Sequence, residues 1–129
     1  MPATFNHTIV ASVDRQISAA FYRDVLDAAA APSWGPFTNL ALDGGVLLQF
    51  AEPPAHLVPD GIQMQHYAFL VDDDLFDRAY ALLVDRGIMH WADPQMQRPD
   101  TINHEHGGRG VYFKDPAGHA VELLTRPYV

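Results

Sequence analysis

The chain has 129 residues, enough for one domain or for two small modules that share a core. Eight basic and sixteen acidic residues give a net charge of −8, which disfavours nucleic acid and anionic membranes as partners. Cysteine is absent, which excludes disulfides, thiolate metal sites and cysteine nucleophiles, so any metal must be bound by nitrogen and oxygen ligands. No apolar run approaches the roughly 18–20 residues of a membrane span. The N-terminus lacks a signal-peptide pattern, so we expect a cytoplasmic protein.

The N-terminal half predicts a strand, a helix and then further short strands. Residues 5–10 are rich in β-branched and aromatic types, with His7 third in the run. A helix is predicted from about Arg15 to Leu26, with Asp14 as its N-cap. Its apolar residues recur at i, i+4 and i+8, at Ile17, Phe21 and Val25. The last strand of this half contains Gln49.

The C-terminal half repeats this order after a linker at residues 52–62, which contains three prolines. A strand at residues 64–71 again has a histidine, His66, as its third residue. A helix is predicted from about Leu75 to Arg86, with an apolar stripe of Phe76, Ala79, Tyr80 and Leu83. The final strand places Glu122 where the first half has Gln49. The second half is longer, with its extra residues in the Pro-, Asn- and Gly-rich stretch 93–110.

Each half therefore reads β-α-β-β-β, and the fold class is α+β. We predict a single domain over residues 1–129, made of two tandem modules at about 1–55 and about 62–129. A four-stranded sheet with a helix on one face leaves its other face open. Two such modules side by side would form a curved eight-stranded mixed sheet around a metal-containing cavity, with the helices outside.

Four polar strand residues are candidates for the inner faces of the two modules. Because strand side chains alternate between faces, the repeat makes His7 the counterpart of His66 and Gln49 the counterpart of Glu122. A lone buried carboxylate costs several kcal/mol unless it is paired or metal-bound. Two His and one carboxylate form a facial triad that suits Fe(II) or Mn(II) and leaves positions open for substrate. Gln49 is either a fourth, neutral ligand or a hydrogen-bonding contact to a ligand or substrate.

The chain resembles the vicinal oxygen chelate superfamily, which includes glyoxalase I, fosfomycin-resistance enzymes, bleomycin-type binding proteins and extradiol dioxygenases. The resemblance rests on five segments across the chain, namely His7, the helix end Phe21-Tyr22-Arg23-Asp24-Val25-Leu26, His66, Gly107-Gly108-Arg109-Gly110-Val111-Tyr112-Phe113 and Asp115-Pro116-Ala117-Gly118-His119-Ala120-Val121-Glu122. It implies a divalent metal at His7, His66 and Glu122, a small-molecule substrate and a homodimer.

One feature of the second half resembles the extradiol dioxygenase signature. His104 precedes the Val111-Tyr112 pair by six residues, and an Asp-Pro-x-Gly turn and Glu122 follow. In that family the signature His and Tyr contact the bound phenolate oxygens, and a further His acts as acid and base. Carried over, these catalytic roles fall on His104, Tyr112 and, by rough spacing, His56. The resemblance thus favours an Fe(II) dioxygenase acting on a small aromatic or polyphenolic metabolite.

Two other functions stay open at this point. The first is a glyoxalase-like isomerase or lyase that uses Ni(II), Zn(II) or Mn(II), although glyoxalase I typically has an acid at the position of Gln49. The second is a metal-free resistance protein that binds an antibiotic or metabolite between aromatic side chains. The intact His, His and Glu set disfavours this binding protein, which has no physical need for it.

Overall fold

The same order of elements opens and closes each half of the chain. The computed structural model describes residues 1–129, which divide into unit 1, Met1–Gln63, and unit 2, Met64–Val129. Unit 1 contains β1 His7–Ala11, α1 Arg15–Leu26, β2 Ala29–Ala30, β3 Thr38–Ala41 and β4 Leu47–Ala51. Unit 2 contains β5 His66–Leu70, α2 Asp73–Asp85, β6 His90–Trp91, β7 Gly110–Lys114 and β8 Ala120–Leu124.

Each unit has one four-stranded mixed sheet, and the two sheets have the same topology. The strand order is β1-β4-β3-β2 in unit 1 and β5-β8-β7-β6 in unit 2. The first and last strands of each unit pair in parallel, and the remaining pairs are antiparallel. The predicted α+β class with tandem βαβββ modules is confirmed. The eight strands belong to two four-stranded sheets.

Helix α1 has the predicted bounds but buries a different stripe. The Asp14 carboxylate caps it by accepting hydrogen bonds from the backbone N–H groups of Gln16 and Ile17. The Ile17 side chain is 59% exposed, so its predicted place in the core is wrong. Val25 is buried as predicted, and the other buried residues are Ser18, Ala19, Tyr22 and Leu26. The stripe is shifted because the Tyr22 ring packs against the Phe50 ring of β4, with 5.1 Å between centroids.

Helix α2 follows its predicted stripe. Asp72 caps it by accepting from the Leu75 N–H at 2.8 Å, so the helix begins at Asp73, two residues before the predicted start. Phe76, Ala79 and Leu83 are buried, and the half-buried Tyr80 hydroxyl lies 3.1 Å from Nε2 of His90. The helix ends before Gly87, whose φ of +64° is the left-handed conformation common after helices. No helix in the structure has the length and apolar character needed to cross a membrane.

A buried aspartate organises the turn between β7 and β8. The Asp115 side chain is 5% exposed, and its Oδ1 accepts hydrogen bonds from the backbone N–H groups of Ala117 at 2.9 Å and His119 at 2.8 Å. Gly118 closes the turn with φ +90°, a conformation that glycine adopts readily. This turn sets the β7–β8 register, in which Tyr112 lies opposite Glu122.

Asp115→Ala is expected to lower the free energy of unfolding by about 2–4 kcal/mol, because hydrogen bonds to a charged group are each worth about 1.5–3 kcal/mol. Urea denaturation followed by circular dichroism measures this change. Asp93→Ala is the matched control, since Asp93 also accepts from two backbone N–H groups, those of Gln97 and Arg98, but in contact with solvent. Equal losses in the two variants would show that burial of the turn does not matter.

Candidate functional site

Three candidate side chains, those of His66, Tyr112 and Glu122, share one face of the unit 2 sheet because of its strand register. Glu122 lies opposite Ala68 of β5 and opposite Tyr112 of β7. His66 precedes Ala68 by two residues and therefore points to the same side as Ala68 and Glu122. The apolar residues of the neighbouring positions, Val111, Phe113, Val121 and Leu123, are fully buried on the other face.

His66 and Glu122 form a polar pair in which only the Glu122 carboxylate is buried. The Nε2 atom of His66 lies 3.1 Å from Oε1 of Glu122, whose side chain is only 5% exposed, whereas the His66 side chain is 47% exposed. This contact offsets part of the free-energy cost of burying a carboxylate within an apolar strand. It also leaves the imidazole accessible from solvent.

Tyr112 borders this pair. Its side chain is 7% exposed, and its ring stacks on the His66 ring with 6.0 Å between centroids. Burial raises the pKa of the Tyr112 phenol far above its ordinary value, and the hydrogen bond to Tyr128 and the charge of Glu122 raise it further. The phenol therefore stays protonated at physiological pH and can act as a hydrogen-bond donor.

Tyr128 belongs to the same cluster, although no sequence pattern indicates it. Its hydroxyl donates a short hydrogen bond to Oε2 of Glu122 and lies 3.5 Å from the Tyr112 hydroxyl. This bond to Glu122 is the main reason that the pKa of Tyr128 is raised. The His106 ring packs on the Tyr128 ring at 4.3 Å. Tyr128 follows the last strand, where no strand or helix periodicity predicts the direction of a side chain.

The loop before β7 brings His106, and not His104, to the cluster. A pocket beside Glu122 is lined by Asn103, Glu105, His106, Arg109, Gly110, Tyr112, Glu122, Leu124, Arg126 and Tyr128. His104 is exposed and precedes the 3-10 turn Glu105–Gly107. His56 is exposed in the 3-10 turn Ala55–Leu57 of unit 1.

Unit 1 repeats this geometry with different side chains. Gln49 lies opposite Ile9 of β1 and Asn39 of β3, so Gln49 and Asn39 stand where unit 2 has Glu122 and Tyr112. Gln49 is 6% exposed. His7 precedes Ile9 by two residues, as His66 precedes Ala68. The strand register thus supports the predicted equivalence of the two histidines.

The donor atoms of His66 and Glu122 have a spacing that suits a divalent metal. Two ligands at right angles, each about 2.1 Å from a metal, lie about 3 Å apart, close to the 3.1 Å between His66 Nε2 and Glu122 Oε1. In unit 1 the Nδ1–H of His7 donates to Oδ1 of Asn6 at 2.7 Å, which leaves Nε2 of His7 free to bind a metal. Within neither unit do three His, Asp or Glu side chains come together as a metal site.

The raised pKa of Tyr112 predicts a loss of stability in alkali. In the unfolded chain a tyrosine ionises near pH 10, while the folded chain keeps Tyr112 protonated to higher pH. The free energy of unfolding should therefore fall as the pH rises above about 10. It should fall less steeply in Tyr112→Phe. Urea denaturation at several pH values tests this, and equal slopes in the two proteins would contradict it.

Solved structures with the same fold cover nearly the whole chain. "Oxidase ChaP-H2" is 44% identical with a TM-score of 0.90, and the match covers 99% of this chain and 97% of that one. "Oxidase ChaP-H1" is 46% identical with a TM-score of 0.90 and covers 98% of each chain.

Sequence comparison gives a more distant relative and the family. "Glutathione transferase FosA" of Serratia marcescens is 27% identical over 124 residues, which cover 95% of this chain and 81% of the transferase. The sequence model of one family matches residues 4–123. The chain therefore belongs to the Glyoxalase/Bleomycin resistance protein/Dioxygenase superfamily.

Proposed function

We propose that this protein is a metal-dependent oxidoreductase in which His7, His66 and Glu122 hold the metal. Fe(II) is the favoured ion, and the favoured reaction is an extradiol-type dioxygenation of a small aromatic or polyphenolic molecule. The observation that carries the proposal is the buried Glu122 carboxylate, 3.1 Å from the solvent-accessible His66 imidazole. It occurs in a chain that is 44–46% identical to two proteins named oxidases.

The donor set suits this chemistry. Two imidazoles and one carboxylate leave positions open on an octahedral ion, and Gln49 could add a neutral oxygen or contact the substrate. Bound Fe(II) would supply redox chemistry with oxygen and lower the pKa of a coordinated phenol. Mn(II), Ni(II) and Zn(II) accept the same ligand types.

The chain's own residues would orient the substrate and move protons. Tyr112 lies beside both His66 and Glu122, and its protonated phenol would donate a hydrogen bond to a substrate oxygen. We propose that His104 contacts the substrate oxygens and that His56 acts as the catalytic acid and base, by the extradiol signature. His106 is an alternative to His104 for contacting the substrate, because His106 lines the pocket beside Glu122.

Exposed apolar side chains support a homodimer. β1 and β5 are edge strands, and the side chains in and before them include Phe5 at 68% exposure, Ile9 at 51%, Met64 at 60% and Leu70 at 62%. Exposed apolar side chains on an edge strand favour a protein interface. Sedimentation equilibrium should give twice the chain mass.

A thiol transferase is the second candidate, because a relative named glutathione transferase matches 95% of the chain. A cationic substrate-binding side chain would be needed for an anionic substrate. Arg109 borders the pocket, but its guanidinium lies 2.6 Å from Asp77 and 3.1 Å from Asp73 and packs over the Phe76 ring. The charge of Arg109 is therefore already balanced within unit 2, whereas Arg126 of the same pocket lies 4.0 Å from Asp73. The oxidoreductase is preferred because the two proteins named oxidases share 44–46% of their residues with this chain.

Oxygen uptake by the Fe(II)-loaded protein on a panel of catechols and polyphenols tests the proposal. We expect oxygen uptake that depends on the substrate and that is strongly reduced or lost in Tyr112→Phe. Thiol addition to fosfomycin, or isomerisation of a glutathione hemithioacetal, without oxygen uptake would overturn the oxidative reaction. No turnover and no metal binding would instead indicate a binding protein.

A further inference from the structure

We infer that Tyr128 is a positioning residue for Glu122, and that it determines which carboxylate oxygen is presented to the metal. This inference rests on the proposed role of Glu122 as a metal ligand. Tyr128 lies four residues beyond the end of β8 at Leu124, outside the residues 4–123 that the family model matches. Its role is argued from the contacts of its hydroxyl and its ring.

The two oxygens of Glu122 have different partners. Oε1 lies 3.1 Å from Nε2 of His66, and Oε2 accepts the short hydrogen bond from the Tyr128 hydroxyl. The Glu122 carboxylate is almost completely buried, and besides these two partners only the neighbouring Tyr112 phenol forms a hydrogen bond with it. Tyr128 therefore fixes the plane of the carboxylate and leaves Oε1 as the oxygen directed to His66.

The Tyr128 ring is itself held in place. Although 54% of Tyr128 is exposed, its ring packs on His106 at 4.3 Å between centroids, and its hydroxyl lies 3.5 Å from that of Tyr112. A phenol supported in this way keeps its hydroxyl directed at Glu122. Partners that hydrogen-bond a ligating carboxylate orient it and tune the metal, and their loss typically lowers metal affinity by about 10–100-fold.

Co(II) binding to the full-length protein tests this role. Co(II) absorption reports the number and geometry of ligands, and titration gives the dissociation constant. Tyr128→Phe keeps the ring on His106 but removes the hydroxyl, so we expect affinity to fall by about 10–100-fold and the visible spectrum to change. Tyr80→Phe is the matched control, because it removes a tyrosine hydroxyl that is bonded to a histidine elsewhere in unit 2.

The outcomes separate this inference from the proposed function. If the wild-type protein binds Co(II) and Tyr128→Phe has the wild-type affinity and spectrum, Tyr128 does not position Glu122, and the metal proposal stands. If Tyr80→Phe changes both readouts as much as Tyr128→Phe does, the effect is general destabilisation and the inference is wrong. If the wild-type protein binds no Co(II), the metal proposal fails and the role of Tyr128 fails with it.

Discussion

Glu122→Gln is expected to lose metal binding and turnover while it stays folded. The amide has nearly the shape of the carboxylate, and its oxygen can still accept from the Tyr128 hydroxyl, so the strand should keep its packing. The substitution removes the one anionic donor that faces His66. Since losing an outer partner already costs about 10–100-fold in metal affinity, we expect losing this ligand to cost more than about 100-fold. Isothermal titration with Mn(II) or Co(II) measures the change.

Glu105→Gln is the matched control for this variant. Glu105 lines the same pocket and carries the same charge, but it is exposed and is no part of the proposed ligand set. Its loss should leave metal affinity within a few-fold of the wild-type value, because solvent screens an exposed charge. A Glu122→Gln variant that binds metal as tightly as Glu105→Gln would exclude Glu122 as a ligand.

His7→Ala is expected to weaken metal binding as much as His66→Ala does. The two histidines have the same register relative to Gln49 and Glu122, and each lies on the first strand of its unit. The hydrogen bond from Nδ1 of His7 to Asn6 leaves Nε2 as the metal-binding nitrogen. We expect a loss of more than about 100-fold for each variant, on the same grounds as for Glu122.

Stability measurements separate this effect from unfolding. The His7 side chain is exposed, so His7→Ala should change the free energy of unfolding by no more than about 0.5 kcal/mol. His56→Ala removes another exposed histidine of unit 1 and should leave metal affinity unchanged. If His7→Ala binds metal normally while His66→Ala does not, the metal has a ligand other than His7.

The order of elements along the chain and the shared face of His66 and Glu122 could be predicted from the sequence. Strand alternation is a local pattern, and the internal repeat relates equivalent positions of the two halves. The first and last strands pair in parallel in both units, so equivalent residues have equivalent places in the two sheets. The face of α1 was harder to predict, because apolar residues occur around much of the helix. Packing on Phe50 selected Tyr22 and left Ile17 in solvent.

Two residues of the cluster around Glu122, Tyr128 and His106, could not be predicted, because they lie outside the strands and the two α-helices. Tyr128 comes from the tail after β8, and His106 has a left-handed backbone with φ +55° that no periodic pattern indicates. His104 and His106 are two residues apart in a polar loop, so spacing alone could not choose between them. The path of the loop, which contacts such as the Asn103–Gly110 bridge fix, places His106 rather than His104 beside the pocket.

Anomalous X-ray diffraction from crystals of the Fe(II)-loaded protein tests the central claim most directly. We predict one iron at each Glu122, bound by Oε1 of Glu122 and Nε2 of His66, with Nε2 of His7 as the third protein ligand. An anomalous peak elsewhere, or a peak at Glu122 without either histidine, would contradict the proposed metal centre. Full iron loading with no peak at Glu122 would contradict it as well.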